Sequence, residues 1–211
     1  MVVKIFFYIL TLLFLLIIFS NQIFSQVPEP DYPKHKIGFS FGYGDQQIKI
    51  IGLGVDLKVD YSYEILFAQF SYIYSLFNND WWHIGFNLQT EYGITYYKLN
   101  KKFLAESRSH ELGISGGIIF SSKVITDVLN LYLLFSVGPH YTQKSPERQV
   151  SGFMFNNNYD IGINIFMRDN LLFDLRTGFR HLSNANLKNP NGGINNWIIS
   201  LGLIYQIENK N

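Results

Sequence analysis

Between Trp82 and Tyr96 the chain alternates in character. Trp82, Ile84, Phe86, Leu88, Tyr92, Ile94 and Tyr96 share one parity, and His83, Gly85, Asn87, Gln89, Glu91, Gly93 and Thr95 share the other. A period of two defines a β-strand with one apolar and one small or polar face. The same pattern recurs along the chain. Ile37, Phe39, Phe41 and Tyr43 oppose Gly38, Ser40 and Gly42, while Phe153, Phe155, Tyr159, Ile161, Ile163 and Ile165 oppose Asn156, Asn158, Asp160, Gly162 and Asn164. Eight strands are predicted, at about 36–44, 62–76, 81–98, 107–121, 129–142, 150–167, 170–183 and 194–207. The segment 45–61 receives no pairing.

The polar parity cannot fill a dry core, but it can hydrogen-bond to itself inside a narrow lumen, leaving the apolar parity to face lipid. Composition agrees. Aromatic residues make up 17% of the chain and charged residues only 16%, against about 25% charged in a soluble domain. The expected fold is therefore all-β, an eight-stranded antiparallel transmembrane β-barrel of the outer membrane, closed so that no strand edge is left unpaired in lipid. With 211 residues the chain suits one domain, and without cysteine it has neither disulfides nor a thiolate zinc site. A formal charge of +1 offers no basic footprint for nucleic acid.

Met1 to Gln26 has a charged start at Lys4, an apolar run from Ile5 to Phe19 and a polar end. This is the layout of a cleaved signal peptide, shorter than the roughly 20 apolar residues of a spanning helix. Residues 27–35, with Pro28, Pro30 and Pro33, are expected to form an extended lead-in, and 36–211 the barrel. Turns at 78–80 and 168–169 are short, whereas 99–106, 143–149 and 184–193 are longer and polar. With periplasmic termini, the longer loops face outward from the cell.

The chemistry concentrates at one outer loop. Residues 179–197 place His181 and Ser183 two apart, on one side of a strand, ahead of an asparagine-rich Pro/Gly turn. Their parity is that of Phe173, Leu175, Thr177 and Phe179, the lipid-facing phase. On the next strand Asn195 is in phase with Trp197, Ile199, Leu201, Leu203 and Tyr205, so it faces lipid beside them. A histidine and serine so placed are a candidate base and nucleophile.

Arg180, His181, Ser183, Asn184, Ala185, Asn191 and Gly193 fit the pattern R-H-x-S-N-A followed by N-x-G. Over these roughly twenty residues the chain resembles the PagL-type lipid A 3-O-deacylases, or acyloxyacyl hydrolases, of the Gram-negative outer membrane. The resemblance implies a metal-free, cofactor-free serine esterase acting on lipid A, with His181 as base and Ser183 as nucleophile. Oxyanion donors are expected from the Asn191 amide and the Gly192 or Gly193 backbone, with Asn184 as a further candidate. Lipopolysaccharide acyl chains and outer-membrane lipid are the implied partners, with room for a homodimer. The family characteristically carries a glutamate where this chain has Asn195, which can accept a hydrogen bond from the histidine but brings no negative charge. The competing expectation is a non-catalytic barrel with a degenerate site.

Other motifs carry less. Gly113-Ile-Ser115-Gly-Gly117 matches the nucleophile-elbow pattern but lies within an alternating strand. Gly52-Leu-Gly54 lacks a dinucleotide context. His83 and His140 read as polar lumen lining, His110 as a surface histidine, and Glu91, Asp160, Asp174, Arg176 and Arg180 as a lumen charge network. A soluble lipid-binding barrel would need both faces reversed.

Overall fold

A computed structural model describes residues 33–50, 53–56, 61–79, 81–98, 106–122, 129–168 and 170–207. The expected signal peptide and most of the lead-in lie outside them. Ten strands are present among the described residues: β1 (His35–Asp45), β2 (Gln47–Ile50), β3 (Leu53–Asp56), β4 (Ser62–Asn78), β5 (Trp82–Lys98), β6 (Glu106–Ser122), β7 (Leu129–Thr142), β8 (Gly152–Arg168), β9 (Leu171–Ser183) and β10 (Ile194–Ile207). Eight close into an antiparallel barrel in the order β1-β10-β9-β8-β7-β6-β5-β4, while β2 and β3 form a separate ribbon. That ribbon occupies the segment for which the sequence offered no pairing.

Closure is made by β1, whose eleven residues pair with β10 from His35↔Ile207 to Asp45↔Trp197. On its other edge β1 pairs with β4, from His35↔Tyr74 to Gly44↔Ile65. Every barrel strand therefore has two partners, the condition for strands to cross hydrocarbon. Of the turn predicted at 78–80, Asn78 belongs to β4 together with Phe77, and the register shifts between Ser75 and Phe77. The shift leaves both Leu76 and Phe77 exposed, and Asn79 Oδ1 then accepts the N–H groups of Trp81 and Trp82 at 2.9 and 2.8 Å.

Outward positions are apolar as expected, including Phe39, Phe41, Phe70, Phe86, Leu112, Phe135, Ile161 and Leu203. The lumen is layered along β9. At the loop-bearing end Leu182 packs with Tyr61, Tyr63, Tyr97, Met154 and Ile194; at the opposite end Leu172 packs with Ile73, Ile119, Tyr132, Leu134 and Ile204. Between these apolar plugs lie two ionic layers. Arg180 Nη2 donates to Glu111, to Glu91 at 3.3 Å and faces His140 Nε2 at 3.2 Å. Arg176 donates to Gln69 at 2.9 Å and to Ser40 and Ser200 at 3.2 Å, with Asp174 and Asp160 at 3.8 and 3.9 Å. Two bands of hydrogen-bonded charge inside an eight-stranded wall leave the lumen filled rather than open.

A buried ion that loses its partner is more costly than the pair is favourable, by about 3–5 kcal/mol. Arg176→Met strips Asp174 and Asp160 of their cation far from the loop end. Urea unfolding in detergent micelles is expected to show a loss of about 3 kcal/mol with the barrel fold retained; an unchanged midpoint would mean that the carboxylates are satisfied without the arginine.

Candidate active site

β9 carries its inward residues at even positions and its outward ones at odd positions, a strict alternation through Ser183. His181 and Ser183 thus share the lipid-facing surface, while Arg180 and Leu182 between and before them point into the lumen and are fully buried. After Ser183 the chain leaves the barrel. Asn184 is buried, its N–H donating to Asn191 Oδ1 at 2.9 Å and its Nδ2 to the Lys188 carbonyl at 2.8 Å. Ala185 and Asn186 take left-handed backbone angles, φ 52° and 62°, a region that asparagine tolerates better than most residues. The loop therefore folds back on Asn184 and returns at β10.

The return sets the register. Ile194 pairs with Leu182 and Asn195 with His181, and the directly opposed side chains meet: His181 Nδ1 lies 2.6 Å from Asn195 Oδ1. With Oδ1 as acceptor, Nδ1 carries the ring proton and Nε2 keeps its lone pair, the tautomer a general base requires. Asn195 is itself fixed through its backbone. Its N–H donates to the Tyr61 hydroxyl at 3.0 Å, and its carbonyl accepts from Gln46 Nε2 at 3.3 Å. Burial raises the pKa of the Tyr61 phenol above its ordinary value, so the group stays neutral. His181 and Ser183 make no hydrogen bond to each other, and neither Nε2 nor Oγ has another partner among the described residues. Catalytic pairs are commonly loose before substrate is bound.

Gly193 lies against the imidazole of His181. Its φ is +67°, and a Cβ there would lie 2.8 Å from His181 Cε1. Only glycine satisfies both conditions: the backbone angle is disfavoured for other residues and the imidazole edge leaves no room for a methyl.

The loop at 143–151 is tied to this one by backbone. Gln149 bridges Asn191, Val150 N–H donates to the Pro190 carbonyl at 3.0 Å, and Arg148 Nη2 donates to the Gly192 carbonyl. Two of the expected oxyanion donors are thereby occupied. Gly192 N–H donates to the Arg148 carbonyl at 2.7 Å and Gly193 N–H to Gln149 Oε1 at 2.9 Å. In the structure these two N–H groups hold the loop, through a strand-like contact between segments 44 residues apart. Asn191 Nδ2 donates to the exposed Asn186 at 2.9 Å. Arg148 also sits 5.1 Å above the Tyr61 ring, linking the loop to the residue that holds Asn195. None of Gln46, Tyr61, Arg148 or Gln149 carries a sequence signal, because each acts through long-range contacts.

The remaining candidates are structural. Ser115 is buried in the middle of β6, so it makes no elbow. Gly54 falls in β3, and Gly52 lies outside the described residues. His83 is buried between Ser121 at 3.0 Å and Ser75 at 2.9 Å, and His110 is exposed against Tyr92 at 2.8 Å. Glu91, Glu111 and His140 offer donor atoms within 4.8 Å of one another, a spacing that suits a cation. The Arg180 guanidinium contacts all three, so the protein supplies that positive charge itself.

A closed, lipid-facing, eight-stranded antiparallel barrel, here with a histidine, a serine and a carboxamide on its outer wall, defines the outer-membrane barrel class. The lipid A 3-O-deacylase (PagL) family model matches residues 65–203, far beyond the twenty-residue signature, and the chain belongs to that family. The solved outer-membrane enzyme PagL superposes with a TM-score of 0.52 at 17% identity, over 79% of this chain and 97% of that one. Neisserial surface protein A superposes with a TM-score of 0.50 at 13% identity, over 82% and 97%. At these identities both likenesses concern the fold. A search of curated protein sequences finds no match.

Gly193→Ala should push the imidazole off Asn195. The His181 Cε1–H resonance in micelles is expected to shift, with stability lowered by about 1–3 kcal/mol for the strained backbone. A resonance at its wild-type position would separate Gly193 from the histidine.

Proposed function

We propose that this protein is an outer-membrane serine esterase that removes an acyl chain from lipid A, with its site at the extracellular leaflet. The observation that carries the reading is the His181–Asn195 contact on the lipid-facing wall, with Ser183 next along the same face. A purely structural barrel gains nothing from three polar residues grouped on that surface. Family membership supplies the substrate class and, by the family's name, the 3-O-linked chain.

In this reading His181 Nε2 takes the Ser183 proton as Oγ attacks the ester carbonyl carbon. The imidazolium returns the proton to the departing sugar oxygen, leaving an acyl group on Ser183. Water, deprotonated by the same nitrogen, then releases the fatty acid and restores the serine. Asn195 orients the ring by accepting from Nδ1. Asn191 Nδ2 can exchange its bond to exposed Asn186 for one to the substrate. Acyl transfer from an ester to serine and on to water exchanges protons only, so this mechanism calls for no cofactor.

The absence of a carboxylate at 195 favours a second reading, a barrel that keeps the geometry of an enzyme with little turnover. The two are separated by mass spectra of lipid A from outer membranes containing equal amounts of wild type, Ser183→Ala or Asn195→Glu. Loss of one hydroxyacyl mass with wild type, and none with Ser183→Ala, is expected. Asn195→Glu should raise the rate about tenfold or more, because an anion at Nδ1 stabilises the imidazolium that forms during attack. Unshifted spectra from wild type and from Asn195→Glu together would leave the structural barrel as the answer.

A further inference from the structure

Asn157 breaks the outward face of β8. Its neighbours of like parity are Phe153, Phe155, Tyr159 and Ile161, all apolar, and it is half-buried on the same surface. It makes no side-chain hydrogen bond among the described residues. A carboxamide without a partner on a lipid-facing wall is unfavourable, so its position calls for a reason.

Register supplies one. Asn157 pairs with His181 across the β8–β9 ladder, and Phe155 pairs with Ser183. On the other side of β9, Asn195 pairs with His181. One row across three strands therefore reads Asn157, His181, Asn195, all outward. Asn195 takes the Nδ1 side of the ring, and Asn157 flanks the histidine from the opposite strand. Directly opposed Cβ atoms lie about 5 Å apart and diagonal ones about 7 Å, so Asn157 stands next to His181 and diagonal to Ser183. A carbonyl carbon attacked by Ser183 Oγ fits between the serine and this carboxamide.

The site also calls for a second donor. An oxyanion developing on the ester carbonyl must meet fixed N–H groups; the Gly192 and Gly193 N–H groups are bonded to the neighbouring loop, and Asn191 Nδ2 reaches the substrate only by exchanging its bond to Asn186. We infer that Asn157 Nδ2 is an oxyanion donor of this site, hydrogen-bonding the substrate carbonyl oxygen as the tetrahedral intermediate forms. The inference rests on the esterase reading. No atom is transferred to Asn157; it offers a hydrogen bond that strengthens as charge moves from the carbonyl double bond onto oxygen.

The test uses the full chain refolded in detergent micelles and the p-nitrophenyl ester of a long-chain fatty acid. Wild type, Ser183→Ala, Asn157→Leu and Asn157→Gln are compared, with heat-modifiable gel mobility reporting folding. Leucine suits the lipid-facing wall, so Asn157→Leu is expected to fold. Its kcat should fall about 10²-fold with KM nearly unchanged, the signature of a contact made in the transition state. Asn157→Gln, which keeps the amide, should recover part of the loss. If wild type and Ser183→Ala differ but Asn157→Leu keeps its kcat, or changes only KM, the oxyanion assignment is overturned and the esterase reading stands. If wild type is no faster than Ser183→Ala, the esterase reading falls and this assignment with it.

Discussion

The pairing of β1 with β10 is the constraint from which everything else follows. In hydrocarbon no water is available to satisfy a strand edge, so the first and last strands of the barrel must find each other. They do so along all eleven residues of β1, and that seam fixes which parity faces in. A slip of one residue would turn the inward set of one seam strand toward lipid, taking Ser40 or Ser200 away from Arg176. The two ionic layers and the seam are thus one device: closure creates the lumen, and the lumen is the place where those charges can be held.

The site depends on the same closure. It has no cleft of its own; it is a row of side chains on the convex wall, assembled because β8, β9 and β10 are in register at Asn157, His181 and Asn195. Ladder hydrogen bonds and two loops bonded to each other hold that row in place. Gln149, Arg148 and Tyr61 show how far the support extends, since they reach Gly193, Gly192 and Asn195 from elements distant in sequence.

The barrel was legible because alternation is a local signal, repeated eight times in long strands. Predicted and observed ends of the eight barrel strands differ by no more than two residues. His181, Ser183 and Asn195 were legible for the same reason, as polar residues in an apolar phase. Asn157 sent that same signal within a row of aromatics and isoleucines, but the family signature lies on β9 and β10 and drew no notice to β8. The apolar plugs were harder to foresee. Tyr63, Ile65 and Phe67 are buried on the inward parity of β4, so that strand is greasy on both faces and its pattern is less clean. The loop contacts could not be read at all, because which N–H meets which carbonyl across 40 residues is decided by the folded path and not by residue type.

His181, Ser183 and Asn195 sit on the outer wall at one end of the barrel, the last outward positions before β9 ends and just after β10 begins. A wall of this kind admits ligands sideways, from a plane rather than a volume. For the proposed esterase, a substrate must drift to the row within the leaflet and carry its reactive group at the matching depth. Molecules with identical bonds held a few ångströms higher or lower in the lipid pass it by. The barrel's apolar belt, which sets how it floats, thereby acts as a ruler: changing bilayer thickness retunes selection with every side chain left in place.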